Sequence, residues 1–302
     1  MHIIEVKNLL KKYNGLKAVD NISFSVKEGE TFGILGPNGA GKTTTLEIIE
    51  GIRKPSKGKA FVDGLSIKKD KEKIKEIMGV QLQSSAFFEY LTVKEILTLF
   101  ADLYANPADI DKILKNVKLE AKSKSYADKL SGGQKQRLSI AAALVNNPKV
   151  IFLDEPTTGL DPQARRNLWR LIKNIQKKGQ TIVITTHYME EAEYLCDRVA
   201  IMDNGKIIAL DSPRGLIKSS GIKSKIMFRT VEDIPQSLIK TCRGRVEKKD
   251  HTIVIETKNP EKGLHNLMEY VEKEKIEIVD LRIMQPTLED VFIKLTGKKL
   301  RE

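Results

Sequence analysis

The stretch that decides the fold runs from Gly36 to Thr44 and reads Gly-Pro-Asn-Gly-Ala-Gly-Lys-Thr-Thr, directly after the apolar run Phe32–Leu35. It matches the pattern G-x-x-x-x-G-K-[ST] between a predicted strand and a predicted helix, the context that this phosphate-binding motif requires. Its glycines let several amide N–H groups point at one phosphate chain, and the start of the following helix adds partial positive charge. A glycine-rich turn that binds nothing is the alternative, and the Lys-Thr pair argues against it.

Two residues of this loop indicate the ligand. Lys42 is expected to be an exposed point charge for the outer phosphates, and Thr43 offers a hydroxyl to Mg²⁺. The loop therefore predicts MgATP or MgGTP rather than a bare phosphate ester. The expected contacts to the nucleotide come from the loop residues Asn38, Gly39, Ala40, Gly41, Lys42, Thr43 and Thr44.

Composition sets the bounds of the interpretation. The 302 residues, 40% of them hydrophobic, suit one large domain plus a smaller one. No apolar run approaches the about 18 residues that span a bilayer, so we expect a soluble protein whose membrane role depends on a partner. The start of the chain shows no secretory signal, and Cys196 and Cys242 suit a reducing cytosol. The net charge of +12 would allow binding to nucleic acid or to an anionic membrane leaflet. An ordinary solvated surface is favoured, because the lysines of Lys68–Lys75 alternate with acids.

The N-terminal pattern predicts an antiparallel sheet. Apolar and polar residues alternate from Ile3 to Val26, which is typical of half-exposed strands. Tyr13 lies in a turn between them, where its ring either stacks on a purine base or packs against its own hairpin.

Acidic side chains follow a strand that is apolar at every position. Asp154 and Glu155 come directly after Val150–Leu153, a run typical of a strand buried in a parallel sheet. Open α/β sheets bind ligands at this edge. Asp154 suits Mg²⁺ through water, and Glu155 suits a base that orients the attacking water. The buried strand Thr181–Thr186 brings His187 to the same edge, which favours a functional histidine over a surface one.

Three further segments complete the candidate site. The strand from Met78 ends in Gln83, either a Mg²⁺ ligand that holds a water or a loop glutamine. Ser131 is a predicted N-cap, and the adjacent Gly132 and Gly133 leave amides open for a second anion. Asp161 with Pro162 predicts the start of another helix. The aromatic-rich segment 84–104 suits an interface or the core of a helical subdomain.

The C-terminal part predicts a small α+β domain. After a linker at Ser219-Ser220-Gly221, the pattern indicates strand, helix, strand, strand, helix and strand, in ferredoxin-like order. The predicted segments are Ile226–Phe228, Pro235–Lys240, Arg245–Lys248, Thr252–Glu256, Pro260–Glu274 and Ile276–Ile283, with a last helix after Thr287. No catalytic constellation lies here, so we expect a domain that pairs or regulates.

The motifs together resemble the ATP-binding-cassette (ABC) family over residues 1 to about 219. The phosphate loop, Gln83, the LSGGQ sequence of Leu130–Gln134, the VIFLDEP strand, Gly159-Leu160-Asp161 and His187 occur in the order of that family. The tail Gln285–Phe292 is similar to the C-terminal extension of drug-resistance exporters, including daunorubicin-exporter ATPases.

The resemblance implies a fold and a set of site residues. The fold is an α/β P-loop NTPase parallel-sheet core with an N-terminal antiparallel sheet and a helical subdomain (1–219), plus a small C-terminal α+β domain (220–302). The implied catalytic residues are Glu155, His187 and Gln83, and the metal ligands are Thr43, Gln83 and Asp154. Beyond the loop, the implied nucleotide contacts are Tyr13, Ser131, Gly132, Gly133, Gln134 and Asp161.

The resemblance also implies partners. Two cassettes are expected to dimerise head to tail, so that Ser131–Gly133 of one closes over the γ-phosphate at Gly39–Thr43 of the other. The implied protein is an ATP-hydrolysing subunit at the cytoplasmic face of the plasma membrane. It drives export of drugs or lipid-like compounds through separate permease subunits, and no nucleic acid is expected. The runner-up is a soluble ABC ATPase acting on DNA or ribosomes, disfavoured by the single cassette and the lack of heptads. A non-hydrolytic nucleotide sensor is disfavoured because Glu155 and His187 are both present.

Overall fold

The structure is a computed structural model that describes residues 1–82, 87–230 and 252–297, and the backbone of 245–249. It divides into two compact units at Pro213 and Arg214. The domain boundary at 219 and 220 stays a prediction. Ser219 and Ser220, which we expected in a linker, are helical, and their hydroxyls donate to the carbonyls of Leu216 and Ile217.

A six-stranded sheet forms the centre of the first unit. Its strands are β3 (Thr31–Leu35), β6 (Met78–Gln81), β7 (Val150–Asp154), β8 (Thr181–Thr186), β9 (Arg198–Asp203) and β10 (Lys206–Asp211). They lie in the order β10-β9-β3-β8-β7-β6, parallel except for the antiparallel pair β9 and β10. Every residue of β3, β7 and β8 is buried, because helices cover both faces of a parallel sheet. The predicted parallel-sheet core is confirmed.

The predicted N-terminal antiparallel sheet is also present. It contains β1 (His2–Tyr13), β2 (Leu16–Lys27), β4 (Lys57–Val62) and β5 (Leu65–Ser66), in the order β2-β1-β4-β5. Asn14 and Gly15 form the two-residue turn between β1 and β2 with φ angles of 45° and 87°, the left-handed values that tight hairpins need. The inward residues of the sheet join the apolar core beneath α1 (Lys42–Ile49).

Helices complete the first unit. They are α2 (Lys71–Ile77), α3 (Val93–Ala101), α4 (Ile110–Val117), α5 (Gly132–Ala142), α6 (Pro162–Gln176) and α7 (Met189–Leu195). α3, α4 and α5 pack against one another as the expected helical subdomain. α6 begins where Asp161 accepts a hydrogen bond of 2.8 Å from the amide of Ala164, with Pro162 at its first position. Its apolar stripe Leu168, Leu171, Ile172 and Ile175 is buried.

The second unit begins within α8 (Pro213–Ser220). It continues with β11 (Ser224–Thr230), β12 (Arg245–Lys249), β13 (Thr252–Thr257), α9 (Pro260–Glu274), β14 (Ile278–Met284) and α10 (Leu288–Thr296). The antiparallel order β12-β13-β11-β14 confirms the ferredoxin-like arrangement of strands. The helix expected at 235–240 lies outside the described residues. Among the residues that the structure describes, no helix has the length and apolarity needed to cross a membrane.

Candidate active site

The loop after β3 is shaped to hold anions. Gly41, the N-cap of α1, has a φ of 101°, and a Cβ there would lie 2.3 Å from the carbonyl oxygen of Ala18 on β2. Only glycine fits this position. The first turn of α1 carries no acidic residue, and its leading N–H groups have no partners within the helix. Asn38 and Gly39 are exposed at the tip of the loop, Ala40 is buried, and Thr43 and Thr44 are half-buried.

Lys42 is buried, which corrects the expectation that it is an exposed point charge. Its side chain is only 4% exposed, and Nζ donates to the carbonyls of Gly36 (2.9 Å) and Pro37 (3.1 Å). Nζ also forms an ion pair of 3.1 Å with Oε1 of Glu155. The ammonium therefore lies inside the curl of the loop, held by the backbone and by the acid at the end of β7.

Glu155 is the centre of the cluster. Its Oε2 accepts a hydrogen bond from Thr158 (3.2 Å) and lies 3.1 Å from Nδ1 of His187. Burial by itself would raise the pKa of Glu155, but the charge of Lys42 and the neighbouring His187 outweigh burial and lower the pKa below its ordinary value. Glu155 also has a left-handed φ of 45°, a strained conformation that non-glycine residues keep mainly at functional sites. The structure thus brings the predicted loop lysine, base and histidine together.

Asp154 and Thr43 form the second half of the cluster. The hydroxyl of Thr43 lies 3.3 Å from Oδ1 of Asp154, and the hydroxyl of Thr185 on β8 donates to the same oxygen. Burial raises the pKa of Asp154, although the hydrogen bonds from Thr185 and Thr43 oppose the rise. A hydroxyl and a carboxylate at this spacing are oxygen ligands of the kind that Mg²⁺ prefers. No cluster of three His, Cys, Asp or Glu side chains suited to a metal occurs among the described residues.

The residues of the second predicted anion site lie in a separate cleft. Ser131 caps α5, and its amide donates to Oε1 of Gln134 (2.9 Å) while its hydroxyl accepts from the Gln134 amide (3.4 Å). Ser131, Gly132 and Gly133 line a cleft of about 490 Å³ with Asp161 at the start of α6. No residue of 36–44 lines it. Within one chain, the two predicted anion sites are therefore not joined.

Comparisons with known proteins agree with this geometry. The family model described as "ABC transporter" matches residues 19–158, and the model described as "ATP-binding protein DrrA1-3-like, C-terminal domain" matches 217–296. The linearmycin resistance ATP-binding protein LnrL of Bacillus subtilis is 35% identical over 312 residues, covering 99% of this chain and 100% of LnrL. The Nod factor export ATP-binding protein I of Ralstonia nicotianae is 36% identical over 307 residues, covering 99% of this chain and 95% of its own.

The chain belongs to the ABC transporter family of ATP-binding proteins.

Solved structures show the same fold. CbiO1 of Clostridium perfringens, described as part of the ABC transporter complex cbiONQ, superposes with a TM-score of 0.67 at 34% identity, over 72% of this chain and 91% of that one. The ATP-binding cassette MJ0796, in a dimeric structure bound to ADP and Pi, superposes with a TM-score of 0.63 at 29% identity, over 69% and 98%. This ABC protein is thus an ATP-binding and ATP-hydrolysing subunit, and none of these comparisons supports a soluble ATPase that acts on nucleic acid or ribosomes.

Two predicted contacts of the ABC cassette stand apart from the central cluster. Tyr13 is half-buried at the end of β1, with the cations of Lys11 and Arg53 4.9 and 5.5 Å from its ring centroid. Its hairpin borders the loop, since Ala18 on β2 approaches Gly41. Base stacking by Tyr13 stays a prediction. Gln83 lies outside the described residues, and β6 ends two residues before it.

The aromatic segment of the ABC cassette divides into two parts. Phe87 is half-buried and lines a pocket of about 310 Å³ with Val80, Phe100 and Tyr104. Phe88 and Tyr90 are 61% and 88% exposed. The described part of the segment therefore contains both packed and exposed aromatic residues, and its use as an interface stays a prediction.

Sequence reasoning missed the threonines that support the two acids. Thr185 faces Asp154 across the parallel register of β7 and β8, and it also accepts a hydrogen bond of 3.0 Å from the amide of Glu155. Thr158 contacts Glu155 directly. Thr185 could have been predicted as a partner of Asp154 from its place in the strand next to β7. That prediction requires knowing that β7 and β8 are neighbours, which the sequence does not give.

Proposed function

We propose that this ABC protein uses ATP hydrolysis to export a drug-like or lipid-like compound through separate membrane subunits. The observation that carries the proposal is the cluster of Lys42, Glu155 and His187 at the edge of the parallel sheet. Export is supported by the two relatives, which are named for linearmycin resistance and Nod factor export and match this chain over nearly its whole length.

The loop residues supply the nucleotide site. The amides of Gly39 and Gly41–Thr44 and the side chain of Asn38 face the phosphates, while the Ala40 amide donates to the Pro37 carbonyl (3.1 Å) and shapes the loop, and Tyr13 stacks on the base. Thr43 and Asp154, together with Gln83, would hold Mg²⁺, which supplies positive charge for the phosphate oxygens. Glu155 orients and deprotonates the attacking water, and His187 uses its second ring nitrogen to donate to the outer phosphate.

The ion pair of Lys42 with Glu155 sets the order of the steps, so that nucleotide binds before Glu155 acts as a base. Phosphate oxygens compete with Glu155 for the ammonium, because both are anions within its reach. When Lys42 turns to the phosphates, Glu155 loses the larger of the two charges that lower its pKa. Nucleotide binding therefore converts a paired carboxylate into a stronger base at the position where water attacks.

A second cassette completes the site. Gly133 is needed for packing, since a Cβ there would lie 3.3 Å from Cβ of Ala164 on α6, whereas Gly132 has open space around it. We infer that Ser131, Gly132, Gly133 and Gln134 close over the nucleotide of a head-to-tail partner, with Asp161 at the edge of the same cleft. The dimeric structure of MJ0796 supports this arrangement.

Permease subunits dock on the aromatic segment. Phe88 and Tyr90 are large and exposed beside the pocket that Phe87 lines, as in an interface with an inserted helix. The protein is then peripheral at the cytoplasmic face of the plasma membrane.

The partner class decides between the two candidate functions. The full chain is tagged in its native host and extracted in mild detergent, and the bound material is analysed by mass spectrometry and ultraviolet absorbance. A polytopic membrane protein in stoichiometric amount supports the proposal. Co-purifying RNA or DNA without a membrane protein would overturn it.

Surface aromatics should contribute to docking more than to catalysis. Replacing Phe88 and Tyr90 together by alanine should remove the co-purifying membrane protein while basal ATPase activity stays within about twofold of wild type, because neither side chain is packed. Ile208→Ala, on β10 at the opposite edge of the sheet from β6, is the matched control. Loss of ATPase activity in the double variant would show that the segment supports the core instead.

A further inference from the structure

Glu191 is a buried acid that the mechanism above does not use. It lies at the third position of α7, four residues after His187, and its side chain is fully buried. Burial raises the pKa of Glu191, although hydrogen bonds from Thr186, Thr157 and Trp169 oppose the rise. Acids are rarely buried this deeply unless they have partners, so its contacts indicate what it does.

One oxygen of Glu191 joins two elements. Oε1 accepts a hydrogen bond of 2.9 Å from the hydroxyl of Thr157 and one of 2.8 Å from the indole Nε1 of Trp169. Thr157 is fully buried and lies on the segment between β7 and α6, whereas Trp169 lies within α6 and stacks on Tyr194. The carboxylate therefore fixes the turn after β7 to the body of the unit.

The segment that Thr157 anchors carries the catalytic base. Thr157 is two residues after Glu155, and the next residue, Thr158, donates to Glu155 Oε2. The amide of Leu160 then donates to the Thr157 carbonyl (3.2 Å), which closes the turn before Asp161. Because Glu155 has a strained left-handed backbone, it needs fixed residues on both sides to hold its side chain in place.

The helix that carries Glu191 follows the turn of His187. Thr186 directly precedes His187, and its hydroxyl accepts a hydrogen bond of 3.0 Å from the amide of Tyr188, the N-cap of α7. Glu191 thus bonds directly to the residue that anchors the loop of Glu155, and its own helix begins two residues after His187. His187 and Glu155 are themselves 3.1 Å apart at Nδ1 and Oε2.

We propose that Glu191 is a positioning residue for ATP hydrolysis, which sets the spacing of Glu155 and His187 by holding the turns that carry them. Its side chain is fully buried, so its effect is exerted through these turns. The role needs a hydrogen-bond acceptor at Oε1 rather than a negative charge. The inference rests on the proposed roles of Glu155 and His187.

Substitutions of Thr157 and Glu191 test this proposal. Thr157→Val removes the hydroxyl that Glu191 holds and should lower kcat about tenfold, while the dissociation constant of a fluorescent ATP analogue changes less than about threefold. Glu191→Gln keeps the acceptor at Oε1 and should retain at least half of wild-type kcat. Glu191→Ala should lose at least as much kcat as Thr157→Val.

A matched control separates positioning from stability. Thr181→Val also removes a fully buried threonine hydroxyl, which accepts a 3.0 Å bond from the amide of Gly29, but at the far end of β8 from His187. It should lower the denaturation midpoint by a similar amount and leave kcat unchanged.

The outcomes are distinct. If Thr157→Val retains wild-type kcat, or if Thr181→Val loses as much kcat as Thr157→Val, positioning by Glu191 is wrong. If Glu191→Gln falls as far as Glu191→Ala, a requirement for charge replaces the proposed requirement for an acceptor, and the proposal is again overturned. A wild-type protein that binds but does not hydrolyse ATP would instead contradict the proposed function.

Discussion

Lys42 and Glu155 have one role in the free protein and another in the proposed mechanism. Lys42 is packed like a core residue, with two backbone carbonyls and Glu155 around its ammonium, yet its charge is the one that phosphates need. Glu155 is paired with Lys42 and with His187 on different oxygens. Each group therefore stabilises the other in the free protein, and in the proposed mechanism each has to be released for catalysis.

Glu155→Gln should slow hydrolysis at least about 10²-fold, the usual effect of removing a positioned base, while ATP still binds. The amide cannot accept the proton of water, but it keeps the size and one acceptor oxygen of Glu155. Since a neutral side chain repels the outer phosphate less, saturating ATP should hold two chains together. Single-turnover hydrolysis and light scattering measure the two effects, and a monomeric variant in saturating ATP would contradict the head-to-tail site.

Lys42→Ala should abolish ATP binding and also reduce stability, because it leaves the buried Glu155 with one fewer partner. We expect the free energy of unfolding to fall by about 1–3 kcal/mol. In the double variant with Glu155→Gln, much of that loss should return, since no unpaired charge remains. Urea denaturation of the four proteins gives the coupling energy. Additive losses would show that the ion pair contributes nothing to the fold.

The sequence predicted which residues meet at the site but not how they are packed. Motif spacing placed Asp154, Glu155 and His187 at strand ends and Lys42 at the start of the helix that follows β3, and parallel strands bring such ends to one edge. The burial of Lys42 depends on the curl of its own loop, which a pattern of residue types does not describe. The contact of Glu191 with Thr157 depends on how α7 packs beside the turn after β7, which is set by tertiary structure.

Among the elements, α1 has a feature that opposes its own stability. Glu50 directly follows its last residue, and an acid at the C-terminal end of a helix faces the negative end of the dipole. The side chain is buried, and its Oε1 has no hydrogen-bond partner. Burial, and then the charges of Asp154 and Glu47, raise the pKa of Glu50 to about 8.

This shift predicts a loss of stability in alkali. An ordinary glutamate has a pKa of about 4.3 in the unfolded chain, so between that value and pH 8 the folded state binds a proton that the unfolded state releases. Stability should therefore fall as pH rises through this window, by on the order of 5 kcal/mol. Glu50→Gln should remove that part of the pH dependence and be the more stable protein at pH 8.5. Urea denaturation at pH 5 and 8.5 tests this, with the exposed Glu120→Gln as control. If the free energy of unfolding changes equally between the two pH values for wild type and Glu50→Gln, the raised pKa of Glu50 is wrong.

Element types followed from the sequence where local signals agreed. Ser131 and Asp161 cap helices as predicted, because capping needs only neighbouring residues. The apolar residues of the C-terminal helices are buried unevenly, since Leu267 and Phe292 are buried whereas Met268 and Leu295 are about half exposed. Periodicity shows which side of a helix is apolar, but the width of the covering surface decides how much of it is buried.

For the molecule as a whole, the C-terminal unit has a sheet with unlike faces. Ile226 and Phe228 point with the inward residues of β13 to the core beneath α9. The strand register places Met227 and Val254 on the other face, opposite Arg282 and beside Val279 and Met284. Val279 and Met284 are 44% and 53% exposed, although they are apolar. The same register places the charged Lys225, Arg229, Glu256 and Arg282 on this face among the exposed apolar residues. A face that mixes apolar side chains with both signs of charge suits a contact with a second copy of the same surface.

Such a contact would keep two ABC chains near each other between cycles of ATP binding. A short tether between paired units raises the effective concentration of one cassette for the other to the order of mM. Because ATP hydrolysis needs two cassettes, the specific ATPase activity of the full chain should then fall little as the protein is diluted. In a chain that ends at Pro213, specific activity should fall more steeply with dilution. The cut belongs there rather than after Ser220, because α8 is part of the second unit and Leu216 is buried.

A point variant tests the same role with the unit intact. Met284→Lys places a charge on the proposed contact face and should reproduce the steeper dilution curve, since pairing would then oppose two like charges at close range. Met268→Lys, an exposed methionine on α9, adds the same charge on the helical side and should leave the curve of the full chain unchanged. Turnover is measured over a dilution series of at least about 100-fold for all four proteins. Parallel curves for wild type and the chain ending at Pro213 would rule out pairing and leave regulation or stability as the task of this unit. A steeper curve for both lysine variants would show that added charge, not the sheet face, is responsible.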